Sequence, residues 1–130
     1  MAIRSIGLRN RRERECLVRR ALSSPEPMCR GCAALALARM GVFGDLGRAH
    51  SEASDERERT FTALALLFAD PNSFKQLENQ LRIDLAKISW NYLVELQWDI
   101  LDVLSRCPNS NAQALAKGWA PFYSPALAAA

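Results

Sequence analysis

The sequence predicts an all-α fold, a small helical bundle of about five to six helices. Three observations predict it. Apolar residues recur three and four positions apart along most of the chain, which places them on one face of a helix. No segment alternates apolar and polar residues as a half-buried strand would. Pro-, Gly- and Asn-containing breakers cut the periodic stretches at intervals that suit short helices.

The first helix is expected over 8–22, with Leu8, Cys16, Leu17 and Ala21 set among many arginines. Ser23-Ser24-Pro25-Glu26-Pro27 breaks it. Residues 28–40 are rich in Ala and Leu and apolar nearly all round, the pattern of a buried helix. Gly41, Gly44 and Gly47 interrupt that pattern, leaving a turn or short helix at 45–50. Asp55 stands three residues before Glu58, the spacing of a capping box, so a helix should run over 56–69. Asp70-Pro71-Asn72 ends it. Ser73 and Gln76 repeat the capping spacing, and Phe74, Leu77, Leu81, Leu85 and Ile88 form a clean apolar stripe behind them. A break near Ser89 opens a helix at about 90–105, bearing Trp90, Leu93, Val94, Ile100, Leu101 and Leu104. Cys107-Pro108-Asn109 closes it, a last helix follows at 110–118, and 124–130 should fray. The chain reads as one domain, with 8–50 and 55–123 as the two lobes it would have if it divides.

The chain has 130 residues, 49% of them hydrophobic and 24% charged, which is globular composition for a single domain and excludes a large multidomain enzyme. No apolar run is long enough to span a membrane. Net charge is +3 but unevenly spread: residues 1–20 carry a net +5, residues 21–50 a net +1 and residues 51–130 a net −3. A basic head on an acidic body points to a polyanion, with a solvated arginine-rich helix face as the plain alternative. The four cysteines, Cys16, Cys29, Cys32 and Cys107, follow no apolar leader, so reduced thiols and a cytoplasmic location are expected. The Arg and Ser content of 1–24 also suits an organellar leader, against which Glu13 and Glu15 count.

Cys29-x-x-Cys32 lacks a second ligand pair at metal spacing, and it lacks the strand-to-helix setting of a redox motif. The expected reading is two small apolar side chains inside a buried helix. No metal or cofactor is expected. His50, the one histidine, sits between Arg48 and Ser51 and reads as a surface residue near a polyanion. No nucleophile elbow, phosphate loop or metalloprotease motif is present, so no catalytic residue is assigned. Trp90, Trp98, Trp119, Phe122 and Tyr123 could stack on bases, but their helical spacing favours core packing.

Arg12 and Arg19 are two turns apart and share a face that Arg20 flanks. Guanidinium groups about 10 Å apart can track a phosphate backbone. Arg is preferred over Lys, 14 to 3, and its planar fork holds phosphate with two bonds.

Five patterns in order resemble a known family. They are Leu17-Val18-Arg19-Arg20, Asp45-Leu46-Gly47-Arg48-Ala49, Glu58-Arg59-Thr60-Phe61 running to Ala69-Asp70, Gln76-Leu77 with Ile88-Ser89-Trp90 and Trp98-Asp99, and finally 116–123 with Trp119, Phe122 and Tyr123. Together they are similar to the CasB small subunit of the type I-E CRISPR Cascade complex, or to a diverged small subunit of a related CRISPR effector. The resemblance implies an all-helical, non-enzymatic subunit present as two copies. It implies contacts with the backbone and large subunits, with CRISPR guide RNA and target DNA, and with the displaced strand. The candidate phosphate-binding residues are Arg12, Arg19, Arg20, Arg48 and Arg59, then Lys75, Arg82, Arg106 and Lys117. The alternative function is that of a structural helical adaptor in another multi-subunit assembly, ribonucleoprotein or organellar, whose arginines meet an acidic protein face.

Overall fold

The computed structural model describes residues 11–88 and 94–119, with side chains from 13 to 88 and from 97 to 118. The described residues are all-helical, as the periodicity predicts. Seven α-helices follow in order: α1 Arg11–Ala21, α2 Pro27–Arg39, α3 Leu46–Ser51, α4 Glu56–Ala69, α5 Phe74–Lys87, α6 Val94–Ser105 and α7 Ser110–Trp119. A 3-10 turn, Pro71–Ser73, joins α4 to α5. No described helix is long and apolar enough to cross a membrane.

Helix ends follow local chemistry. Pro27 opens α2 at a position where its missing N–H costs nothing. Gly41 ends α2 with φ +80°, a conformation that suits glycine. Its N–H bonds the Ala38 carbonyl at 3.0 Å, and the Val42 N–H bonds that of Leu37 at 2.9 Å, so the last carbonyls of α2 are satisfied in a Schellman turn. Asp55 caps α4 as its spacing predicts, accepting from the Glu58 N–H at 2.8 Å. The Glu58 carboxylate does not return that bond to Asp55. It accepts from the N–H and hydroxyl of Ser54 instead, at 2.9 and 3.0 Å. The predicted Ser73 cap is not made. Ser73 donates back to the Asp70 carbonyl, and Asp70 caps the 3-10 turn by accepting from the Asn72 N–H. Pro71 draws the chain into that turn first, so the capping duty moves three residues upstream.

α4 is the hub, packing against α2, α3, α5, α6 and the 3-10 turn. Its Phe61, Ala63, Leu64, Ala65 and Leu67 are buried. The buried residues form one contiguous cluster that also takes in Ala34 and Leu37 of α2, Leu46, Phe74, Leu81, Leu85, Ile100, Leu104, Cys107, Ala112 and Ala116. The α5 stripe therefore faces inward as expected, with Leu77 only partly covered. α2 and α4 make the closest approach: a side chain at Gly31 would meet the Phe61 Cβ at 2.8 Å.

Two expectations about the core are corrected. α2 is not buried all round, because one side carries the exposed Cys29, Cys32 and Arg39. Small residues on both sides hide that side from an apolarity count. Trp98 is 48% exposed rather than packed in the core, since Gln97 and Ile100 take the inward positions of α6. Trp90, Leu93, Phe122 and Tyr123 fall outside the described residues, as does the side chain of Trp119.

Candidate nucleic-acid interface

α1 ends on Arg19 and Arg20, whose charges also suit the carbonyl end of the helix. The outward side of α1 carries Glu13, Cys16, Leu17 and Arg20, all exposed, with Leu17 at 62%. Arg19 reaches sideways. Its Nε lies 3.3 Å from Glu15 on the preceding turn, and its Nη1 donates to Asp45 at 2.7 Å. Asp45 stands at the start of α3. Its second oxygen lies 3.6 Å from Nη2 of Arg48, one turn further on. Arg19 and Arg48, 29 residues apart in sequence, therefore meet across one carboxylate, and Arg20, next in the chain to Arg19, is exposed and makes no ion pair among the described residues. The Arg19, Asp45 and Arg48 side chains keep 45%, 28% and 68% of their exposure. Exposed ion pairs of this kind contribute about 0–1 kcal/mol each, so a phosphate can displace the carboxylate.

The other candidates do not join this cluster. Arg59 turns inward: its Nε and Nη2 donate to both oxygens of Asp84, at 3.0–3.3 Å. Asp84 is buried at 1% exposure and also accepts from Gln80. The Asp84 bonds raise the Arg59 pKa against the opposing effect of burial. Arg59 thus clamps α4 to α5 through its Nε and Nη2 donors. Arg82 is paired with Glu78 at 2.9 Å. Arg106 is paired with Asp102 at 3.1 Å and lies 5.2 Å from the ring centre of Phe68. Arg39 flanks the same ring at 5.3 Å and pairs with Asp99 and Asp102. Lys75 and Lys117 are exposed, on α5 and α7, and make no ion pair among the described residues. Arg12 lies on the first turn of α1, and its side chain falls outside the described residues.

Sequence reasoning missed Arg30, which spans Glu58 with two bonds of 2.9 Å and also donates to the Ser24 carbonyl at 2.7 Å. It also missed Arg57 and Lys87, two exposed cations with no ion pair among the described residues. Their place off the apolar stripes of their helices was the available signal. His50 is corrected: it is half-buried, and its Nδ1 lies 2.9 Å from the Thr62 hydroxyl. Thr62 spends its own proton on the carbonyls of Glu58 and Arg59, so Nδ1 donates to the Thr62 oxygen. Burial lowers its pKa, with Asp84 opposing and Arg59 reinforcing. Cys107 is buried, donates to the Val103 carbonyl at 3.5 Å, and has its pKa raised by burial. No group of three or more His, Cys, Asp or Glu among the described residues is placed to hold a metal ion.

Comparison with known proteins found no matching family model, no matching curated protein and no matching solved structure.

Proposed function

We propose that this chain is a non-catalytic, cytoplasmic small subunit of a CRISPR RNA-guided surveillance complex acting in antiviral defence. It binds guide, target and displaced single strands through phosphate contacts and so stabilises the R-loop. Its partners are the backbone and large subunits and a second copy of itself. The observation that supports this best is the meeting of Arg19 and Arg48 at Asp45. Those arginines come from two separate sequence elements that resemble the family, and folding brings them to one exposed place. R-loop exchange is nearly balanced in base-pairing terms, so a few protein–phosphate contacts tip it. Such contacts carry no base preference. Each contact to a single strand steepens the log–log salt dependence by about 0.7.

A native pull-down of the tagged chain, followed by sequencing of bound RNA, tests the assignment. Short RNAs with a common repeat-derived end and varied spacers are the expected result. Ribosomal RNA alone, or none, overturns it. Within the complex, reversing Arg19 and Arg20 to Glu shortens R-loop lifetime while the helical content stays unchanged. An unaltered lifetime removes these two residues from the interface. The second reading, a structural helical adaptor, draws on the pairing of Arg19, Arg39, Arg82 and Arg106 with acids of the same chain. Binding that survives nuclease treatment supports the adaptor.

A further inference from the structure

The four cysteines divide by environment. Cys107 is sealed in the core with its S–H given to a backbone carbonyl. Cys16, Cys29 and Cys32 are exposed. Cys29 and Cys32 belong to one helix, α2, and both are exposed. Residues three apart on a helix differ by about 60° around the axis and about 4.5 Å along it, which puts their Cα atoms roughly 5 Å apart. A disulfide accepts Cα separations of about 4.4–6.8 Å. The Cα spacing thus suits a disulfide, and both cysteines are exposed, while the Cβ atoms, about 5–6 Å apart in a regular helix, must close to about 3.5–4.5 Å.

The surroundings allow the bond to close. Cys29 lies in the first turn of α2, where Glu26 makes no side-chain cap bond that closure would break. The opposite side is fixed, since Gly31 lies against Phe61 and Arg30 is held by Glu58 and Ser24. The backbone movement that brings the two Cβ atoms together therefore falls on the exposed first turn and leaves the contact of Gly31 with Phe61 in place.

We propose that Cys29 and Cys32 form a dithiol site that closes to an intrahelical disulfide by exchange with a low-molecular-weight disulfide such as oxidised glutathione. One cysteine thiolate attacks a glutathione sulfur, giving a mixed disulfide and releasing one glutathione thiolate. The neighbouring cysteine thiolate then attacks the protein-side sulfur and expels the second. The protein loses two protons and two electrons. One oxidised glutathione gains them and leaves as two reduced molecules. The site is independent of the nucleic-acid reading and does not require it.

The test uses the full chain equilibrated in glutathione redox buffers, quenched with acid, alkylated and digested with trypsin. Cleavage after Arg30 separates the two cysteines into the peptides 21–30 and 31–39, while Cys16 travels in 15–19. The expected product is a monomer lighter by two hydrogens, with 21–30 joined to 31–39 until reductant is added. Cys29→Ser, an exposed substitution that leaves the fold unchanged, abolishes that product. Three results overturn the proposal. They are full alkylation of both cysteines after oxidising equilibration, a bond from either peptide to 15–19, and a disulfide-linked dimer in place of the monomeric product.

Discussion

Replacing Gly31 with Ala tests the close approach at the centre of the fold. The added Cβ would stand 2.8 Å from the Phe61 Cβ and 3.3 Å from its Cγ and Cδ2. Ordinary contact begins at 3.4 Å, so α2 and α4 must part by about 0.6 Å at that point. The Phe61 Cβ is tied to the α4 backbone and cannot rotate away. Overpacking of this kind costs about 1–3 kcal/mol. The helix itself gains about 1 kcal/mol when Gly becomes Ala. The net expectation is a loss of roughly 1 kcal/mol, which lowers the Tm of a chain this size by roughly 3–5 °C. Gly47→Ala is the internal control. It too lies within a helix, and nothing stands within 4 Å of its added Cβ, so it should gain part of the helix term and raise Tm. Thermal unfolding followed by circular dichroism measures both. If Gly31→Ala stabilises as much as Gly47→Ala, the two helices are not in contact there.

Four further outcomes follow from the polar contacts. Asp84→Ala strips Arg59 of its partner and should cost about 2–3 kcal/mol, less than a fully buried pair because Arg59 keeps 29% side-chain exposure; urea unfolding measures it. Stability should fall as pH drops through 6.5, because the unfolded chain protonates His50 there while the folded chain, with its lowered pKa, resists, and the fall should level off below the folded value. His50→Gln should flatten that slope in urea midpoints taken on either side of pH 6.5. At more acid pH a second loss comes from Glu58: burial pushes its pKa up, but the bonds from Arg30 and Ser54 outweigh that and hold it below 4.5, so its contribution disappears as pH falls through the lowered value. Asp45→Asn leaves Arg19 and Arg48 without their shared counter-charge, and since Asp45 makes no side-chain cap bond it should tighten single-strand binding by a few-fold in a filter assay with little change in Tm.

The helices were legible because their signals are local. The 3-and-4 spacing of Phe74, Leu77, Leu81, Leu85 and Ile88 needs no distant partner to be read. Asp55 at its capping distance marked the start of α4 to the residue, and the prolines and glycines marked the breaks. What escaped was tertiary. Arg59 and Asp84 lie 25 residues apart, and neither carries any local mark of the other. Arg59 therefore passed for a surface cation. His50 turned inward because Thr62 of α4 was there to meet it. The Ala-rich α2 offers similar apolarity on both sides, so its outer side could not be told from its inner one by composition. Of the candidates with described side chains, Arg19 and Arg48 meet at Asp45, while Arg59, Arg82 and Arg106 turn to acids nearby.

α1 leans chiefly on α2, and its ties beyond that helix include the exposed bond from Arg19 to Asp45. Segments held this way open at low free energy while the core stays closed, so amide exchange should be fastest in α1 and slowest in α4. Arg19 and Arg20 are then carried by a helix that detaches more readily than the core. A polyanion that seats against both α1 and α3 would slow exchange in α1 by the factor by which it favours the docked over the undocked helix. The helix that carries the charge would thereby also report whether it is occupied.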